Sequence, residues 1–312
     1  MSLAIHPRLR EVLFVIALLF CLTPYASPPL ALALGILVAL TIGHPFQKYN
    51  SRATKILLQV SVVGLGFGMN IGALVDAGRS GVLFTIATVV GTLVLGYAIG
   101  KWLKIDAKTS HLISSGTAIC GGSAIAAVGP VLNANEQEMS VALGTVFILN
   151  SIALFIFPMI GNMLQMSQMQ FGVWAAIAIH DTSSVVGAAA KFGDEALKIA
   201  TTVKLARALW IIPLTLVTSF LFKGSTKKIT IPYFIFLFVI AAMLRTWLPD
   251  GKPLFDVFVS VAKTGLVVTL FLIGTGLSRK TIQSVGVKPL IEGVLLWIVI
   301  GSVSLWTVMT IL

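Results

Sequence analysis

Charge is what this chain has least of. Only 11% of its 312 residues are Asp, Glu, Lys or Arg, against roughly 25% in an ordinary soluble domain. Hydrophobic residues make up 57% of the chain and the mean hydropathy is +1.00. No soluble core hides that much apolar surface, which excludes a soluble enzyme or binding module. Cysteine is nearly absent. Cys21 and Cys120 each lie in an apolar segment, so neither a disulfide framework nor a cysteine zinc site is available. The chain also has no Gly-x-x-x-x-Gly-Lys-Ser/Thr phosphate loop, no His-Glu-x-x-His metal pair and no polar stretch long enough to fold as a nucleotide-binding domain. The expectation is neither an enzyme nor an ATP-driven pump, with no catalytic residue, cofactor or metal.

What is present is a series of apolar runs. Ile56 to Val75, Gly81 to Leu103, Val141 to Pro158, Ile199 to Phe222, Ile231 to Leu248, Phe255 to Leu277 and Pro289 to Leu312 each approach the ~20 residues a spanning helix needs. Two shorter runs, Val12 to Thr23 and Leu30 to Ile42, precede them. Two further stretches, Thr109 to Glu136 and Phe171 to Glu195, are apolar but interrupted. The expected architecture is therefore an all-α polytopic membrane protein of about eleven hydrophobic segments, forming one domain over residues 1–312.

The net charge of +11 reads as topology rather than as a nucleic-acid footprint. With every segment crossing, fourteen Lys and Arg share the side of the N-terminus, among them Lys101, Lys104, Lys108, Lys223, Lys227, Lys228, Arg279, Lys280 and Lys288. Five, namely Arg79, Lys191, Lys198, Arg245 and Lys252, lie opposite. Positive residues collect on the cytoplasmic side, which places the N-terminus inside and the C-terminus outside a plasma membrane. Nucleic acid is not an expected partner; the lipid bilayer is.

Lys55 to Gly78 aligns without a gap on Lys263 to Gly286, matching Leu58 with Leu266, Gly66 with Gly274, Gly68 with Gly276 and Asn70 with Ser278. Extended through the next segments, residues 55–103 pair with 263–312. The copies are separated by an odd number of segments and so run oppositely through the bilayer, the inverted repeat of secondary transporters.

The two interrupted stretches carry the chemistry. Cys120-Gly121-Gly122-Ser123 breaks the first and His180-Asp181-Thr182-Ser183-Ser184 the second. Non-helical backbone at membrane depth survives only against protein or a watery cavity, and matched breaks are the best sequence pointer to a transporter's binding site. Either both stretches are re-entrant hairpins, one from each side, or both are full-length broken helices; the flanking loops carry no Lys or Arg to decide. A half-helix starting at each break offers unpaired N–H groups and a partial positive charge. Cys120, Gly121, Gly122 and Ser123 would then face Thr182, Ser183 and Ser184 as an anion cradle near the midplane. Tight packing of small residues is the competing explanation. Lys204 and Arg207, three residues apart on one helix face, lie deep in their segment, where a charge needs a cavity or a partner. Lys263 sits nearer a segment end and can snorkel. Asp181 either neutralises Lys204 or Arg207, or acts with His180 in coupling to protons or sodium.

The runs Ser114 to Ala127, His180 to Ala188 and Val203-Lys204-Leu205-Ala206-Arg207 resemble the sulfate-exporter family of bacterial inner-membrane proteins, over nearly the whole chain. Family patterns often have Ala or Ser at Gly122 and Gln at Ser184. More distantly the family is similar to the cation/proton antiporter and anion transporter group, which includes bile-acid symporters and sodium/proton exchangers. That resemblance implies a core domain with crossing discontinuous helices, an elevator-like motion and often a homodimer. The combined expectation is a secondary active transporter of a small anion such as sulfate, sulfite or an organosulfonate. A sodium/proton-type exchanger on the same fold and a passive anion channel are the alternatives.

Overall fold

The computed structural model describes residues 7–222, 233–276 and 285–312. Lys223, Lys227, Lys228, Ser278, Arg279 and Lys280, used above for topology and the repeat, lie outside the described residues. Every described element is helical: α1 (Pro7–Phe20), α2 (Pro28–Thr41), α3 (Gln47–Gly66), α4 (Ile71–Leu103), α5 (Ala107–Ala118), α6 (Gly122–Val131), α7 (Glu136–Met163), α8 (Gln168–Ala178), α9 (Thr182–Phe192), α10 (Asp194–Ala208), α11 (Ile211–Leu221), α12 (Tyr233–Trp247), a 3₁₀ turn (Pro249–Gly251), α13 (Lys252–Gly276) and α14 (Val287–Ile311). Among the described residues five stretches are long and apolar enough to cross a membrane: Phe84–Leu103, Gln137–Met163, Asp194–Leu221, Lys252–Gly276 and Val287–Ile311.

Two long spans frame the centre. The first, α7, opens on a capping box in which Asn135 and Glu138 bond each other's backbone N–H. It runs through Pro158 to Met163, so the proline expected to end it lies inside. The second is α10 continued by α11. Here Pro213 is the third residue of α11, and the chain is interrupted at Leu209 and Trp210. A proline ring clashes with the carbonyl four residues back, here that of Leu209, which places the interruption before the proline rather than at it.

Both interrupted stretches fold as helical hairpins. In α5–α6, the Lys108 ammonium donates to the Asn133 carbonyl at 3.1 Å, which brings the two open ends together, and Gly116 abuts Ile125 near the tip. In α8–α9, Gly193 lies against Gln168 and Phe171 stacks on Phe192 at 3.8 Å. Gln168 Oε1 accepts from the N–H groups of Glu195 and Ala196, so the side chain that begins the hairpin also caps α10. Half-helices of 10 to 12 residues are about 15 to 18 Å long at 1.5 Å per residue, half a hydrocarbon core.

The hairpins lie along opposite halves of α7. Gly129 touches Met139, Gly122 touches Leu143 and Phe147, and Gly121 touches Val146; beyond these, the Asn150 amide oxygen accepts from His180 N–H, Gly187 touches Leu154, and Gly161 touches Phe171 and Phe192. The tips therefore meet at the middle of α7, with the open ends at its opposite termini. The α10–α11 span runs the other way past the same pair. It meets α8 through Gly172 and Ile199 and, at its far end, bonds His111 of α5 through Thr218 at 2.9 Å.

Around this centre, α13 packs closely on α2 and α3 through small residues. A Cβ at Gly35 would fall 2.2 Å from the Phe271 carbonyl oxygen, and one at Gly265 would fall 2.3 Å from Ser61 Oγ. Close backbone approach of this kind is how membrane helices gain dispersion contacts where no hydrophobic drive separates protein from lipid.

Candidate functional site

The site is the point where four half-helix ends converge. Each tip turns for a local reason. At the first, Gly121 has φ +65° and ψ −122°, a backbone state closed to residues with a Cβ, and its N–H returns to the Gly116 carbonyl at 2.8 Å. At the second, Ile179 leaves the helix with ψ 118° and Asp181 becomes the N-cap of α9. Asp181 Oδ2 accepts from the Ser184 N–H at 3.1 Å, from the Ser183 hydroxyl and from the Ser184 hydroxyl, the standard use of Asp before a helix. The tips touch each other. A Cβ on Gly121 would lie 2.9 Å from the His180 carbonyl oxygen and 3.3 Å from Asp181 Cα.

Two cations from adjacent turns of α10 close the carbonyl ends. Lys204 Nζ donates to the carbonyls of Ile179 at 2.8 Å and Ala176 at 3.2 Å, at the end of α8. The Arg207 guanidinium donates to the Ala118 carbonyl, at the end of α5, and to the Thr88 hydroxyl of α4 at 2.9 Å. Both side chains are fully buried. A helix C-terminus carries a partial negative charge, so each cation sits where the local field favours it and where bare carbonyls need donors.

The amide ends are treated differently. Asp181 caps α9, whereas the N-cap of α6 is Gly121, which has no side chain to cap with. Buried atoms beside the tips, Asn150 Nδ2, His180 Nε2, Thr117 Oγ1 and Arg207 Nε among them, have no hydrogen-bond partner. Taking each helix end as about half a charge, with Lys204 and Arg207 positive, Asp181 negative and His180 neutral, the crossing holds about one net positive charge. Such a place favours an anion.

Most of the expected site residues come together here. Cys120, Gly121, His180, Asp181, Thr182, Ser183, Ser184, Lys204 and Arg207 are all buried at the crossing, and Gly122 is half-buried. Ser123 is the exception: as the second residue of α6 it lies on the outer face of the first turn and is exposed. The expected pairing of Asp181 with Lys204 or Arg207 is also corrected. Among the described residues the ion pairs are Arg245–Asp256 and Lys263–Asp194, and the two α10 cations bind carbonyls instead. Lys263 pairs with Asp194 in an exposed ion pair.

Asn150 and Thr88 were missed from sequence. Both lie in the middle of apolar helices, where an isolated Asn in a span was the one available signal. A cavity of about 300 Å³ runs beside α9 past Val186 and Gly187, and a second of about 180 Å³ beside α10 reaches Thr201. Lys263 and Asp194 stand in the walls of both.

A helical chain with five membrane-length apolar helices among its described residues is a multi-pass membrane protein. The comparisons agree and narrow it: residues 12–293 match the family described as conserved hypothetical protein 698, and the chain belongs to that family. It is 59% identical to a UPF0324 membrane protein of Bacteroides thetaiotaomicron, over 90% of this chain and 86% of the relative. It is 56% identical to one from Porphyromonas gingivalis, over 91% and 87%, and 51% identical to one from Shewanella oneidensis, over 95% and 94%. No solved structure matches the chain.

Proposed function

We propose that the protein is a secondary active transporter of a small anion, bound at the crossing of the two hairpins and moved by alternating access. One observation carries this reading. Lys204 and Arg207 neutralise the two carbonyl ends while α6 begins at Gly121 with no N-cap side chain, leaving positive potential for a ligand. Unpartnered Asn150 Nδ2 adds N–H donors, and His180 Nε2 adds one in the tautomer that carries its proton there, which suits an oxyanion acceptor. Resemblance to the sulfate-exporter family selects sulfate, sulfite or an organosulfonate among anions.

In a bilayer the hairpins are re-entrant, one from each face, with tips near the midplane. Lys101, Lys104, Lys108 and Lys288 lie toward the open end of α5–α6, against Lys191 and Lys198 toward that of α8–α9. The positive-inside rule then puts α5–α6 on the cytoplasmic side of a bacterial inner membrane, with the N-terminus inside and the C-terminus outside. The two cavities beside α9 and α10 are the approach from outside. An inverted repeat gains support from the packing of its aligned glycines. Gly66 of α3 receives α12 at the Phe238 carbonyl, and Gly274 of α13 receives α2 at the Leu32 carbonyl, so equivalent helices exchange equivalent neighbours.

A sodium- or proton-exchanging variant rests on the cluster of Asp181 with the Ser183 and Ser184 hydroxyls, an acceptor-rich group. Reversal potentials and tracer flux in proteoliposomes under separately imposed sulfate, sodium and pH gradients separate the readings. The anion transporter responds to a sulfur oxyanion with saturation. Response to sodium alone favours the exchanger, unsaturated conductance favours a channel, and no response to any sulfur oxyanion removes the substrate assignment.

A further inference from the structure

A second buried polar site lies away from the tips, on α14. Glu292 is fully buried in an apolar helix and belongs to no ion pair among the described residues. Two helices are shaped to receive it. On α4, Gly96 and Gly100, one turn apart, form a notch: a Cβ on either would fall about 2 Å from Ser114 Oγ or Ser110 Oγ of α5. The two serines, also one turn apart, fill the notch and face the carboxyl, with Glu292 Oε1 at 2.5 Å from Ser110 Oγ and 3.4 Å from Ser114 Oγ.

Counting hydrogens decides what this cluster accommodates. Each serine has one hydroxyl hydrogen, and each already has a backbone acceptor: Gly96 O for Ser110 at 3.3 Å and Ser110 O for Ser114 at 2.8 Å. An ionised carboxylate would have to draw at least the Ser110 hydroxyl off its carbonyl, and its Oε2 would still have no partner. With a proton on Oε1, the carboxyl donates to Ser110 Oγ, Ser110 donates on to Gly96 O and Ser114 keeps its bond to Ser110 O. Every hydrogen then has one acceptor, and the atom left over is an uncharged carbonyl oxygen.

No neighbouring charge competes. On α4 the facing residues are the two glycines, with Lys101 exposed; on α5 they are the two serines, while His111 is turned to Thr218 of α11. From α7, Thr145 and Leu149 pack on Gly293, the residue after Glu292. Trp174 of α8 meets α14 two turns on, at the Gly301 carbonyl, and Lys288 of α14 is exposed.

We propose that Glu292 is a proton-binding site, whose loading and release exchange the Ser110 and Ser114 hydroxyls between backbone carbonyls and carboxylate at the α4–α5–α14 contact. Ser110 is eight residues, roughly 12 Å, from Ala118, whose carbonyl Arg207 holds. Coupling of this proton to the crossing rests on the transport reading above; the proton binding itself does not.

Infrared difference spectra of the purified protein in nanodiscs, wild type against Glu292→Gln, test it over a range from acid to alkaline pH. Gln mimics the protonated carboxyl and keeps a donor to Ser110, so the fold is expected to stand. The expected result is a protonated-carboxyl carbonyl band at neutral pH that is missing in E292Q, fades at alkaline pH and shifts in frequency in Ser110→Ala. A difference spectrum showing only carboxylate at neutral pH, or an acid band that never titrates, overturns the proposal. Should E292Q misfold, the same band in wild type against Ser110→Ala gives the same decision. Neither spectrum depends on anion flux, so failure of the anion reading leaves this result standing.

Discussion

Replacing Gly121 by alanine separates a binding crossing from a packing contact. The added Cβ meets two obstacles. At φ +65° and ψ −122° an L-residue is strained by about 1 to 3 kcal/mol, and the methyl would lie 2.9 Å from the His180 carbonyl oxygen, a backbone atom of the opposite tip that no rotamer change can move. Relief requires α5–α6 to withdraw from α8–α9, which takes the amide end of α6 out of register with the other donors. If that strain is set against binding, affinity falls about 5- to 150-fold at 1.4 kcal/mol per decade. A thermal-shift titration reads this directly. A ligand at a hundred times its Kd stabilises by about 2.7 kcal/mol, and a hundredfold weaker one at the same concentration by about 0.4 kcal/mol.

Gly122→Ala is the matched control. Its Cβ meets the Phe147 ring at 3.1 Å, the end of a side chain that can turn, and Gly122 starts a regular helix, so sulfate-dependent stabilisation and flux should survive. Exposed Ser123→Ala should behave as wild type. If Gly121→Ala remains monodisperse and keeps anion stabilisation and flux equal to Gly122→Ala, the tips do not form the binding site and the reasoning fails.

Lys204→Gln and Arg207→Gln each leave one carbonyl end without its cation, at a cost of up to about 2 kcal/mol for a buried helix-dipole contact. Both should still fold, as judged by chromatographic behaviour and melting temperature, yet lose anion-dependent stabilisation and flux. Retained flux in either would show that the crossing does not need its positive charge. Single cysteines at Asn133 and Ser167 report the hairpin ends. In intact cells an impermeant thiol reagent should label position 167 and not 133, and equal labelling of both would refute entry from opposite faces.

The identity of the tips was legible in sequence because unwound backbone inside an apolar run is costly enough to require special residues. Gly121 at a positive φ and Asp181 as an N-cap are local solutions written in local residue types. Membership of the membrane class was equally legible, since scarcity of charge and long apolar runs leave no soluble alternative. Burial of Lys204 and Arg207 could also be inferred, because they stand deep in a span.

What the two cations touch could not. Asp181, the one carboxylate at either break, offered an ion pair as one option, while the fold delivers the ends of α5 and α8, and two bare carbonyl termini receive the cations while the carboxylate is engaged by Ser183 and Ser184. Tertiary structure alone also decided that each interrupted stretch doubles back. The contacts Lys108 to Asn133 and Gly193 to Gln168 join residues about 25 positions apart, beyond the reach of any helical period. Glu292 stayed unread for the same reason: its partners are Gly96, Gly100, Ser110 and Ser114, from two other helices, and a lone carboxylate acquires meaning only from what the fold packs around it.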